Sequence, residues 1–351
     1  MAVLLPGLTA LLALVFALAL LDQWRERRGA FQLIWALGML FFFVASGSET
    51  LAAIGGWNES LYRAWYLTGA VWTAGWLGLG TCWLLAKTRF GYAVGLSLFL
   101  AGLFTFLAAR RMTEPTGEVP ILYFLAAGIL AAAVVIETYF QNERWPTLAT
   151  VAVVGATVVS VGLMVTVSLP PPGYALDPIT GMPVGDLFPP SLRLLTPFMN
   201  VTGSLALILG ALFSAYVFMP KKRVLNYSLD PHQKGDEFVF NLLIAPVAIT
   251  VNFVASVPGA LVALLTGRIH SRVPATLLIA VGAMVIAGAD TLARLGSTDY
   301  FQAAKLVGVV LLLLGFLVSV EVFREIRIPF THRVLRGNRH EVRPEVAGPS
   351  T

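Results

Sequence analysis

Long apolar runs of about twenty residues, separated by short polar gaps, fill most of this chain. A helix of that length crosses the roughly 30 Å hydrocarbon core of a bilayer. In water the same runs would leave large exposed apolar patches. A membrane β-barrel would alternate apolar and polar residues, and these runs do not alternate. Inside lipid every backbone N–H and C=O must be bonded internally, so unalternating runs must be helices. The composition agrees: 57% of residues are hydrophobic and 12% are charged, against about 25% charged in a soluble domain. The expected fold is all-α, a polytopic transmembrane helical bundle.

Nine runs read as crossings: 3–21, 31–54, 64–86, 91–109, 120–140, 147–168, 196–219, 273–293 and 303–323. An additional run, 238–267, is broken by Pro246 and by Pro258-Gly259. It reads as one kinked helical segment or as a re-entrant hairpin, and positive charge chooses between them. With the N-terminus outside and a hairpin at 238–267, eighteen Lys and Arg lie inside: Arg25, Arg27, Arg28, Lys87, Arg89, Arg144, Lys221, Lys222, Arg223, Lys234, Arg268, Arg272 and six tail arginines from Arg324 to Arg343. Six lie outside. If 238–267 crosses, the count becomes twelve against twelve. The excess of positive charge in cytoplasmic loops therefore favours the hairpin, with the N-terminus outside and the C-terminus cytoplasmic in a bacterial inner membrane. Residues 1–219 form an N-terminal seven-span bundle, 220–237 a cytoplasmic linker, 238–323 a C-terminal unit of hairpin plus two spans, and 324–351 a basic tail. The start of the chain has no basic leader, and its first run ends in Arg25, Arg27 and Arg28, so it reads as a retained span.

The net charge of +5 sits in short loops and the tail. That is an orientation signal, and nucleic acid is not an expected partner. The basic tail suits an anionic leaflet or a cytoplasmic partner protein. The outer loop 169–194 is rich in proline, from Pro170-Pro171-Pro172 to Pro189-Pro190. It should be stiff and extended, either a spacer or a cover over the outer end of the bundle.

The third run is the most patterned. Trp65, Trp72, Trp76 and Trp83 are spaced 7, 4 and 7, which places them on one helical stripe roughly 40° wide. Ala70, Ala74, Gly78 and Thr81 fall on the opposite side. The small face should pack closely on another helix. The tryptophan face either fills space between helices and lipid or lines a site for a flat apolar molecule such as a quinone, a carotenoid or a lipid tail.

Glu49 lies in the outer third of the second run, where a carboxylate must be paired, protonated or hydrated. Arg63, Asp290 and Arg294 come to a similar depth. The four can form a polar cluster, as interfacial ion pairs or as a proton or cation site. Asn252 sits in the broken run, where an interrupted helix can hold an ion. All four histidines lie in inner loops or the tail, and the single cysteine, Cys82, lies in a span. That argues against intramembrane haem, zinc and serine-hydrolase chemistry. Lys87 and Lys305 read as span ends, which disfavours a retinal Schiff base. No metal or cofactor is expected.

Two stretches, Phe31-Gln32-Leu33-Ile34-Trp35-Ala36-Leu37 followed by Glu49, and Tyr62-Arg63-Ala64-Trp65-Tyr66-Leu67-Thr68-Gly69-Ala70 running on to Gly78-Leu79-Gly80-Thr81, resemble an uncharacterised group of bacterial multispanning proteins. The resemblance covers mainly residues 20–90 and implies no activity. It adds weight to Glu49, Arg63, Trp65 and Tyr66 as site residues. Three readings of function follow. The first is a non-enzymatic component that binds or senses an apolar ligand or serves as a membrane subunit. The second is a proton- or cation-coupled secondary transporter using the outer carboxylates. The third, an intramembrane lipid-modifying enzyme, has the least support.

Overall fold

The computed structural model describes residues 2–178, 181–228, 235–294, 298–318, 325–327 and 334–337. It is an all-helical bundle: α1 (Leu4–Arg27), α2 (Ala30–Gly55), α3 (Glu59–Trp65), a π-helical stretch (Tyr66–Trp72), α4 (Thr73–Leu84), α5 (Gly91–Ala109), α6 (Val119–Tyr139), α7 (Trp145–Thr166), α8 (Pro190–Phe218), α9 (Gly235–Leu265), α10 (Arg272–Arg294) and α11 (Thr298–Val318). Among the described residues, nine single α-helices are long and apolar enough to cross a membrane, α9 included. The path α3–π–α4, of 7, 7 and 12 residues, has comparable length but is divided by its π turn. In the tail, Glu325–Arg327 pairs antiparallel with Val334–Gly337; the rest of the tail lies outside the described residues.

Two large apolar cores hold the bundle, beside a smaller cluster of Tyr216, Met219, Ala260 and Val273 where the end of α8 meets α9 and α10. One gathers α3 to α8 around Tyr62, Leu98, Trp145, Leu192 and Met199. The other joins α1 and α2 to α10 and α11, with Phe316 against Phe16 (4.8 Å) and Trp35 (4.7 Å). The last two helices thus share a core with the first two. The expected close packing of the small face is present. A Cβ on Gly78 would lie 2.5 Å from the Gly203 carbonyl oxygen, and one on Gly203 would lie 2.1 Å from the Ala74 carbonyl oxygen. Only hydrogen atoms fit between α4 and α8 there. On the α2 side, the Trp35 indole fills the space over Gly80 and donates to the Leu77 carbonyl at 3.0 Å.

The hairpin expected at 238–267 does not form. Residues Gly235–Leu265 make one helix with Pro246 and Pro258 inside it. A proline removes one backbone bond and bends a helix, whereas a turn would free several polar groups in an apolar segment. The segment still returns to its starting end. The Phe218 ring at the end of α8 stacks on His270 at 4.8 Å and lies under the Arg272 guanidinium at 4.2 Å. The stretch after α8 runs back along α9. The Lys222 N–H donates to Ser256 Oγ (2.8 Å). The Val224 and Leu225 N–H groups donate to Asn252 Oδ1 (2.7 and 2.9 Å), and Asn252 Nδ2 donates to the Leu225 carbonyl (2.8 Å). If α9 crossed the bilayer, exposed Lys221, Lys222 and Arg223 would lie on a stretch that had to be drawn in beside it, at a high desolvation cost.

Candidate functional site

The site forms where α2, α3 and α11 meet. Glu49 stands six residues before the end of α2 and Lys305 seven residues into α11, each about 10 Å from its helix end at 1.5 Å per residue. The two side chains meet at that common depth. Lys305 Nζ lies 2.6 Å from Glu49 Oε2, and both side chains are only 7% exposed. Gln302, one turn before Lys305 on the same face, donates from Nε2 to Glu49 Oε2 at 2.9 Å. Trp65 donates from Nε1 to Glu49 Oε1 at 3.1 Å. Three N–H donors from two other helices therefore converge on one carboxylate. The free side of the ammonium faces the rings of Phe301 (4.9 Å) and Phe42 (6.0 Å).

Ion pairs withdrawn from water are seldom a net gain. Desolvation amounts to several kcal/mol per ion, and attraction offsets it only when the geometry is good and the remaining lone pairs are bonded. Both conditions hold for Glu49. They do not hold for all its neighbours: Gln302 Oε1 and Ser46 Oγ are buried with no hydrogen-bond partner. Ser46 lies one helical turn before Glu49 on the same face of α2.

Of the expected cluster, Glu49 is in the site and Arg63 is elsewhere. Arg63 holds Glu59 through Nε and Nη2 at 2.8 and 2.6 Å. It also donates to the carbonyls of Met164 and of Val167 (2.8 Å). It thereby caps the C-terminal end of α7, whose last carbonyls lack helical partners. The side chains of Asp290 and Arg294 lie outside the described residues. Lys305, read from sequence as a span end, is the partner that was missed. The run was taken to begin at 303, but α11 begins at Thr298, which carries Lys305 two turns inward. Asn252, offered as an ion ligand, instead binds backbone of the stretch after α8 with both its amide atoms.

The tryptophan stripe divides at the π turn. A π turn takes more residues than an α turn, so side chains before and after it lose their shared 100° register. Trp65, before it, reaches Glu49. Trp72, its last residue, and Trp76 and Trp83, after it, face α7. Their Nε1 atoms donate to Ser160 (2.8 Å), Thr157 (3.1 Å) and Thr150 (3.0 Å). Phe41 packs on Trp72 and Trp76 at 5.0 and 5.7 Å. These indoles tie α4 to α7, each N–H finding an acceptor where water is absent.

Above the site, the proline-rich loop between α7 and α8 covers the start of α3. A small hairpin, with Asp177 and Met182 bonded at 2.8 Å, leads to Phe188. Phe188 is 1% exposed and packs against Tyr62 (5.0 Å) and Tyr66 (4.3 Å). Tyr62 donates to the Val184 carbonyl, and the Tyr66 hydroxyl bonds Thr196 Oγ1 at 3.0 Å. Tyr66 therefore anchors the cover rather than meeting Glu49. Compared with known family models, curated proteins and solved structures, the chain matches none.

Proposed function

We propose that this integral membrane protein is a secondary carrier coupled to a proton or cation, with the Glu49–Lys305 pair as its ion-coupling element. The observation that carries the reading is the pair itself: opposite charges 2.6 Å apart, both buried, joining α2 to α11 about two turns inside their helix ends. An ionisable residue inside a membrane bundle is by default a functional candidate. A pair that links the first core-forming helices to the last can break and re-form as those helices move. The apolar-ligand reading has weaker support. Its tryptophans are engaged with α7, and a cavity of about 40 Å³ between α2, α4, α8, α10 and α11 has room only for ordered water.

We further place the protein in a bacterial inner membrane with its N-terminus outside and its tail in the cytoplasm. Arg25, Arg27, Arg28, Lys87, Arg89, Arg144, Lys221, Lys222, Arg223, Arg268 and Arg272 gather at one end of the bundle, against Arg63, Arg110, Arg111 and Arg193 at the other. That asymmetry supports the orientation. The carrier reading is tested in proteoliposomes loaded with a pH-sensitive dye. The wild type should dissipate an imposed proton or sodium gradient, and Glu49→Gln should reduce that flux to the level of empty liposomes while eluting as a folded monodisperse species. Undiminished flux in Glu49→Gln would contradict it.

A further inference from the structure

From the donors around Glu49 we infer a substrate class, resting on the carrier reading above: a small 2-hydroxy monocarboxylate, for which the Glu49 side chain is a tethered stand-in. Glu49 is itself a carboxylate held by an ammonium, an amide N–H and an indole N–H, Lys305 Nζ, Gln302 Nε2 and Trp65 Nε1, at 2.6, 2.9 and 3.1 Å. Charge-assisted bonds of this kind select carboxylates. None of the three donors belongs to the helix that carries Glu49, so the site remains complete if Glu49 swings away.

A buried acceptor on a residue that binds the carboxylate has no partner, Gln302 Oε1, and the Ser46 hydroxyl, one turn before Glu49 on α2, has none either. Buried polar atoms are nearly always bonded. Glu49, an acceptor only when ionised, has no donor to offer Gln302 Oε1. A ligand with a hydroxyl next to its carboxylate would bond the three donors and donate its one O–H to Gln302 Oε1. The Phe42 and Phe301 rings beside Lys305 leave apolar surface for a short carbon chain and no further charge.

The exchange balances in charge. A proton passes to Glu49, which becomes neutral and leaves Lys305. The ligand carboxylate takes its place on the same three donors. One proton and one anion then move together, with no net charge. Lys305 is the charged group paired with Glu49 among the described residues. From α3, Trp65 is neutral and Arg63 is turned to Glu59 and α7. From α1, a Cβ on Gly7 would meet only the uncharged Thr50. The side chains of Asp290 and Arg294 lie outside the described residues.

The test uses the full chain in proteoliposomes and radiolabelled L-lactate. An inward proton gradient should drive uptake, a valinomycin-imposed potassium diffusion potential should not, and propionate, which lacks the hydroxyl, should compete poorly. Glu49→Gln and Lys305→Met should lose the uptake. As a check independent of transport, formate at fixed pH and ionic strength should raise the melting temperature of Glu49→Ala, and should not do so once Lys305→Met is added. Should Glu49→Ala fail to fold, lactate protection of the wild type against heating at mildly acidic pH serves instead. Glu49-dependent proton or sodium flux with neither lactate uptake nor carboxylate stabilisation overturns the substrate class and leaves the carrier reading in place. Propionate competing as well as lactate overturns the role given to the hydroxyl. Absence of any Glu49-dependent flux overturns both.

Discussion

Glu49 and Lys305 are each other's main compensation for leaving water. Removing one partner strands a buried charge, which typically destabilises by about 3–5 kcal/mol, whereas replacing both by apolar residues of similar size is often neutral or better. Lys305→Met alone should therefore lower stability by roughly that amount in a denaturant titration in detergent, and Glu49→Leu/Lys305→Met should recover most of it. Equal destabilisation by the single and double variants would show that the two charges do not act as a pair. Glu49 was legible in the sequence because a carboxylate in an apolar run is conspicuous. Its partner was not, because the polar residues Ser297, Thr298 and Asp299 read as loop when α11 in fact starts among them. The Trp65 contact was hidden for a different reason. A hydrophobic stripe drawn at 100° per residue assumes an α-helix throughout, and the π turn after Trp65 breaks that assumption.

Between elements, close approach of backbones does what side-chain burial does in a soluble core, since lipid is as apolar as leucine. Gly203 shows how tight this is: a Cβ there would sit 2.1 Å from the Ala74 carbonyl oxygen. Gly203→Val should force α4 from α8 and lower stability by about 1–3 kcal/mol or more, as overpacking does. Gly128→Ala on α6, where a Cβ meets nothing within 4 Å, should leave the melting temperature unchanged or slightly higher. Trp76→Phe should lose the bond to Thr157, about 0.5–1.5 kcal/mol, together with part of its packing on Phe41. The small-residue face of α4 could be read from spacing alone. The form of α9 could not, because Pro258-Gly259 signals a turn in water, while in an apolar setting a bent helix leaves fewer backbone groups unbonded.

Across the whole molecule, α9 and the stretch before it leave and return at one end of the bundle, the end that collects most of the described basic residues. With Cys82 (2% exposed) replaced by alanine, single cysteines at Arg144 and Lys222 should react with a membrane-impermeant maleimide only from the cytoplasmic side, and one at Thr113 only from outside. Labelling of positions 144 and 222 from opposite sides would refute the shared end. The bundle class was legible from run length, since nine described helices are long and apolar enough to cross a membrane. The joining of α1 and α2 to α10 and α11 in one core was not legible, since helix neighbours in lipid depend on side-chain fit rather than on the order of spans. That joining is what brings Glu49 to Lys305. The most direct measurement compares proton or sodium flux per folded molecule in the wild type and in Glu49→Leu/Lys305→Met. A double variant that is stable and inactive is the expected result, since in the proposed carrier the pair couples the ion rather than holds the fold. A double variant that is stable and carries ions at the wild-type rate would contradict the central claim.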